Sequence, residues 1–165
     1  LHPRSVPDGL LTQVLYREPF VCALPADHPL AAQKQIQLLA LKDEPFVLFP
    51  RHFSPEYHDR IIALCMEAGF TPHIRYEVRA NATVAALVAA GFGVAIVPQS
   101  VRRVAIDGLQ FRPLAATQAR SELIGAWREG GDASMIAPLL AKLACPDAAP
   151  ARTRRLVTSK PKAKP

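Results

Sequence analysis

Asn81-Ala-Thr-Val-Ala-Ala-Leu-Val-Ala-Ala-Gly-Phe-Gly-Val-Ala-Ile-Val-Pro98 decides how the rest of the chain is read. Asn81 can cap a helix over 82–90, and the run from Val84 to Ala90 is apolar on all sides, which predicts a buried helix. Gly91 ends it, Gly93 opens a strand-forming run to Val97, and Pro98 stops that run. A helix delivered straight into an apolar strand is half of a crossover unit.

The same alternation extends in both directions. Upstream, Phe46-Val-Leu-Phe49 is a buried strand between two prolines, and Ser54-Pro55 offers a hydroxyl N-cap with proline at the first helical position. Tyr57, Ile61, Leu64, Cys65 and Ala68 then follow at helical spacing until Gly69, and residues 72–78 form another strand. Phe20-Val-Cys-Ala-Leu24 is apolar without a break, the pattern of a strand buried on both faces; Pro19 separates it from an extended segment over 12–18. Pro25-Ala-Asp-His-Pro29 is turn chemistry, and a short helical turn covers 36–41. Downstream come strands around 109–114 and 122–128 and an amphipathic helix over 133–143. The expected product is an α/β fold with a largely parallel sheet covered on both faces.

Composition excludes several classes. Half of the 165 residues are hydrophobic and 21% are charged, a globular balance. Charges or prolines interrupt every apolar stretch before the roughly 18 residues that a membrane helix needs. The chain opens on Leu1, and residues 1–8 lack the apolar core of a signal peptide, so it is expected to begin within a longer gene product or after processing. Of the net charge of +6, +5 resides in residues 146–165, a Pro/Ala/Lys tail with no apolar period; the body is close to neutral. Such a tail can touch nucleic acid nonspecifically or simply be a solvated end.

No nucleophile elbow, phosphate loop, or zinc-protease motif is present. Gly91-Phe-Gly93 follows a helix and precedes a strand, the reverse of a dinucleotide fingerprint, and the third glycine is missing. Cys22, Cys65 and Cys145 are isolated and the five histidines do not cluster, which predicts buried reduced thiols and neither a metal nor a cofactor. No enzyme chemistry can be assigned.

Two features favour a small anion. Phe49-Pro50-Arg51 puts a cation just past the carboxyl end of a buried strand, where open α/β sheets bind ligands. Asn81-Ala-Thr83 opens a helix whose first N–H groups lack intrahelical partners and attract negative charge. From the residues alone, Arg51 is equally a solvated loop cation and Asn81 equally a plain cap.

Laid out in order, the body resembles the effector-binding domain of LysR-type transcriptional regulators. The resemblance rests on Arg17-Glu-Pro-Phe-Val-Cys-Ala-Leu-Pro-Ala-Asp-His-Pro-Leu-Ala31, Glu44-Pro-Phe-Val-Leu-Phe-Pro-Arg51, Ala68-Gly-Phe-Thr-Pro72, Thr83 leading to Leu87-Val-Ala-Ala-Gly-Phe-Gly-Val-Ala-Ile-Val-Pro98, and Ala126-Trp-Arg128. Each motif is weak alone; their order and spacing over residues 8–143 carry the match. It implies two Rossmann-like lobes of the type 2 periplasmic-binding-protein fold with the first lobe incomplete. On that plan residues 1–18 are a partial first lobe and hinge strand, 19–112 the second lobe, 113–145 the return to the first lobe, and 146–165 an unstructured basic tail. It further implies a cytoplasmic, non-enzymatic regulator that acts as a homodimer or tetramer and senses a small-molecule effector in the cleft between lobes. DNA would be reached only through a winged helix-turn-helix outside this sequence. Pro50, Arg51, Phe53, Asn81 and Thr83 fall on the cleft-facing positions, with Phe49 and Phe53 as aromatic walls or core. The two anion-favouring features make the expected effector a carboxylate, and the Phe-Pro-Arg segment, which most resembles regulators of aromatic-acid catabolism, implies an aromatic one. A transporter's solute-binding protein, which shares the two-lobe fold, is the alternative.

Overall fold

The computed structural model describes residues 10–128 and the backbone of Arg152 and Thr153. The chain divides into two compact units, Arg17–Ser121 and a second one made of Leu1–Tyr16 with Glu122–Pro165. Its elements in order are β1 (Leu10–Pro25), β2 (Pro45–Leu48), α1 (Pro55–Glu67), β3 (His73–Glu77), α2 (Asn81–Ala89), β4 (Ala95–Pro98), β5 (Leu109–Pro113), β6 (Arg120–Arg128) and β7 (Arg152–Thr153). Three short 3-10 helices, Pro29–Ala32, Leu38–Leu41 and Gln99–Arg103, join them.

In the Arg17–Ser121 unit, β1 lies between β4 and β5 and runs antiparallel to both, with Cys22 opposite Ile96 and Arg112. β2 and β3 are parallel, and a parallel bridge from Phe46 to Val94 connects β2 to the chain entering β4. That junction is held by Val47 N–H donating to Val94 O at 2.9 Å and Val94 N–H donating to Pro45 O at 2.8 Å. Strands β2 to β5 therefore share one direction and β1 is the reversed strand among them. The expectation of a largely parallel sheet holds for β2 and β3 and needs correction at β1: alternating strands and helices reveal crossovers but not that an earlier strand is inserted between later ones.

The apolar run of β1 is explained by burial on both faces. Phe20, Cys22 and Leu24 join Phe46, Leu48, Val94 and Ile96 in a cluster under Tyr57, Ile61, Leu64 and Cys65 of α1. Val21 and Ala23 join Val47, Ala95 and Val97 in a second cluster under Val84, Ala85 and Val88 of α2. Period-two alternation thus sends one set of side chains to each helix. The Tyr57 hydroxyl donates to Ile96 O at 3.0 Å, so α1 is also pinned to β4 by a buried hydrogen bond.

Several local expectations change. Pro19 does not divide β1, because it lies outside the registers with both β4 and β5, where its missing N–H costs neither ladder a bond. Ser54 stands at the N-cap of α1 but makes no side-chain cap bond. α2 begins at Asn81, with Ala80 as its N-cap. Nor is α2 buried all round: Ala82, Thr83, Ala86 and Ala90 are exposed, since alanine satisfies an apolar pattern without requiring cover. β6 and β7 both pair with β1, and β7 sets Thr153 opposite Leu11 and Arg152 opposite Thr12. Those two residues amend the expectation of an unstructured tail; the rest of the tail and the helix expected over 133–143 lie outside the described residues.

Gly93 makes the β2–β4 junction possible. Its φ is +143°, and a Cβ there would fall on the Pro45 carbonyl. Gly91, at φ +80°, has open space instead. Gly93→Ala should therefore cost on the order of 3 kcal/mol or more, against about 1 kcal/mol for Gly91→Ala. Urea denaturation of both variants measures this; equal losses would show that the close approach to Pro45 is unimportant.

Candidate functional site

Parallel pairing fixes where the candidate residues emerge. Leu48 lies opposite Glu77, and Val78 N–H donates to Leu48 O at 3.0 Å, so β2 and β3 finish at the same end of the sheet. The chain leaving β2 turns at once: the Pro50 carbonyl accepts from Phe53 N at 3.0 Å and Ser54 N at 3.2 Å, which starts α1. The chain leaving β3 reaches α2 through Val78, Arg79 and Ala80. β4 runs in the same direction, and β1 enters opposite its end, with Phe20 facing Pro98.

The five expected residues occupy this edge with different environments. Pro50 is buried. Phe49 packs edge-on to Tyr57 with centroids 5.4 Å apart, which makes it core rather than a wall. Phe53 is 58% exposed, and the guanidinium carbon of Arg79 sits over its ring, 5.7 Å from the centroid. Arg51 does not stand free: its Nε and Nη2 donate to the two carboxylate oxygens of Asp59 at 2.7 and 2.9 Å. Asp59 also lies 3.3 Å from Nδ1 of the buried His58. Asn81 and Thr83 sit in the first turn of α2, Thr83 exposed and Asn81 half-buried.

That first turn is uncapped. Ala80 has no side chain able to accept from it, and no acidic residue lies within it. Asn81 offers no remedy, because its Oδ1 is buried without a hydrogen-bond partner. The two other helices that start at this end differ. α1 carries Glu56 in its first turn, and the buried Glu18 carboxylate accepts from both the backbone N–H and the hydroxyl of Ser100 at the start of Gln99–Arg103. Both satisfy the usual preference for negative charge at a helix start.

Phe53 is thus brought to the end of β3, while Arg51 is turned onto α1. Reading the sequence missed Arg79, Asp59 and the Glu18–Ser100 bond. Arg79 was within reach, since it follows a strand just as Arg51 does; nothing local shows that residues 18 and 100, or 51 and 59, meet. Away from this edge, a cavity of about 260 Å³ is lined by Gln37, Leu38, Leu64, Glu67, Ala115 and Thr117 among others, and none of the five expected residues lines it. Cys22 and Cys65 are buried and free; burial pushes the Cys65 thiol up to about 12 and Cys22 higher still, which leaves both unreactive. Cys145 lies outside the described residues. Among the described residues there is no metal-ligating cluster and no helix long and apolar enough to cross a membrane.

The fold is that of an α/β domain of the type 2 periplasmic-binding-protein class. More narrowly, the family described as the LysR substrate binding domain matches residues 1–144, and the chain belongs to that family. It is 36% identical over 127 residues to the HTH-type transcriptional regulator YnfL of Escherichia coli, covering 77% of this chain and 43% of that protein. With the regulator CatR of Pseudomonas putida it shares 36% identity over 118 residues, 72% of this chain and 40% of CatR. The chain thus spans less than half the length of these curated relatives. Among solved structures, the BenM effector-binding domain with its effector benzoate superposes with a TM-score of 0.70 at 26% identity, covering 84% of this chain and 65% of that one. The relatives are transcriptional regulators, so the solute-binding alternative is not favoured.

Two measurements check the local geometry. A capping Asn81 would lose about 1 kcal/mol on truncation. Here Asn81→Ala removes an unsatisfied acceptor and adds a better helix former, so the melting temperature should hold or rise. A clear fall would restore the capping role. Separately, Arg51 holds the Asp59 carboxyl below the usual carboxylate range, chiefly through its hydrogen bonds. A lowered folded-state pKa means that the pair contributes fully above about pH 4 and fades as pH falls through the lowered range. The Asp59 carboxyl resonance should titrate accordingly, and Arg51→Gln should move it back up.

Proposed function

We propose that the whole protein is a DNA-binding transcriptional regulator, not an enzyme, that senses a small carboxylate at the shared carboxyl end of β2 and β3. Arg17–Ser121 corresponds on this reading to the second lobe of the effector-binding domain. DNA is contacted through a winged helix-turn-helix N-terminal to these residues, and the regulator works in the cytoplasm as a homodimer or tetramer. No cofactor is invoked.

The observation that carries the reading is the uncapped start of α2 beside an aromatic side chain and a cation. Orphan first-turn N–H groups are donors for a carboxylate, and the dipole adds roughly 0.3–1 kcal/mol of attraction. Thr83 supplies a hydroxyl, Asn81 an amide, Pro50 the fixed turn, and Phe53 an apolar surface. Arg51 adds little here, because Asp59 occupies its donors and balances its charge. The benzoate held by the BenM domain supports the aromatic form of the proposal.

Calorimetric titration of the full-length protein with benzoate and with adipate tests this. Binding is expected for at least one, with Thr83→Val weaker by about tenfold or less because only a hydroxyl is lost. At a hundred times Kd the ligand should add about 2.7 kcal/mol of stability, visible as a raised melting temperature. Neither heat nor a thermal shift with either acid would sink the carboxylate reading.

A further inference from the structure

The two arginines at this edge differ in what already engages them. Arg51 has its Nε and Nη2 donors committed to Asp59 in a two-pronged pair, so its charge is already neutralised and its fork is occupied. Arg79 makes no ion pair among the described residues. Its guanidinium carbon lies over the face of Phe53 instead. A cation–π contact of this kind takes up none of the guanidinium's N–H donors, so the fork can still meet a carboxylate with two parallel hydrogen bonds. Phe53 at once holds the guanidinium and presents exposed aromatic surface beside it. Arg79 also stands two residues before Asn81, on the link leading into the uncapped turn of α2.

We infer that Arg79, oriented by Phe53, is the residue that selects a carboxylate effector, and that Arg51 is a clamp tying the turn after β2 to α1. This rests on the carboxylate reading of the same site and adds which cation takes the charge. A ligand with one carboxylate and a flat apolar body fits the pair: the carboxylate meets the guanidinium fork and the body lies along Phe53.

Titration of the full-length protein with benzoate, its neutral counterpart benzamide, and adipate is the test. The parent should bind the acids and not benzamide. Arg79→Gln should weaken benzoate binding by roughly 10- to 150-fold, as loss of a charge-assisted bond implies. Arg79→Lys keeps the charge without the fork and should fall between, and Arg51→Gln should stay within about threefold of the parent. Phe53→Leu should weaken benzoate by more than adipate, since only benzoate uses the ring. Both arginines are exposed, and matched melting temperatures would show that the variants fold. If Arg79→Gln and Arg79→Lys both bind benzoate like the parent, or if Arg51→Gln loses binding and they do not, the assignment to Arg79 is overturned while the carboxylate reading stands. If the parent binds neither acid, the reading itself fails and the assignment with it.

Discussion

The insertion of β1 between β4 and β5 is the constraint on which the Arg17–Ser121 unit depends. A strand paired on both edges and covered on both faces has no side chain with access to water, so all five residues from Phe20 to Leu24 must be apolar. Burying them requires a helix on each face, and α1 and α2 are those helices. Because α1 follows β2 and α2 follows β3, the two helices start at one end of the parallel pair. An ordering that begins as a demand for burial therefore ends by gathering helix starts, and their positive ends, at one edge.

What the sequence does with those positive ends is uneven. Glu18, nearly buried, takes both donors of Ser100, and Glu56 occupies the first turn of α1. Asp59 spends both carboxylate oxygens on Arg51. Negative charge is thus supplied at each of these places by the chain itself. At α2 it is not supplied: an alanine stands where a serine or aspartate would add about 1 kcal/mol. Arg79 next to it adds positive charge. The start of α1 also lacks a side-chain cap bond, but Glu56 brings negative charge there; α2 has neither, the kind of deficit that binding sites retain.

Much of the fold was legible because burial writes itself into residue type. The runs Phe20–Leu24, Phe46–Phe49 and Gly93–Val97 mark strands whatever their direction, and Gly69 and Gly91 mark helix ends through the positive φ each adopts. Direction was not legible, since β1 carries the same apolar run whether its neighbours are parallel or antiparallel. Alanine was also ambiguous: it made α2 look buried all round, yet four of its residues or neighbours are exposed. At the site, the locations of Arg51, Phe53, Asn81 and Thr83 followed from strand ends, but their partners did not. The Arg51–Asp59 pair spans a turn and the first part of a helix, and nothing in the local sequence sets Asp59 apart from other helix acids. Only the geometry of the turn at Pro50 brings the two together.

The Arg51–Asp59 pair carries a more general consequence. An exposed ion pair of this kind adds little to stability. Its effect on recognition is larger, because an arginine already engaged by a carboxylate offers a second anion almost no net charge and few donors. A cation held over an aromatic ring stays fully charged and keeps its N–H donors. Two exposed arginines on neighbouring strand ends can thus differ sharply in what they recognise while looking alike in sequence. The distinction turns on one aspartate eight residues away and one phenylalanine across the edge, and a motif that counts cations registers neither.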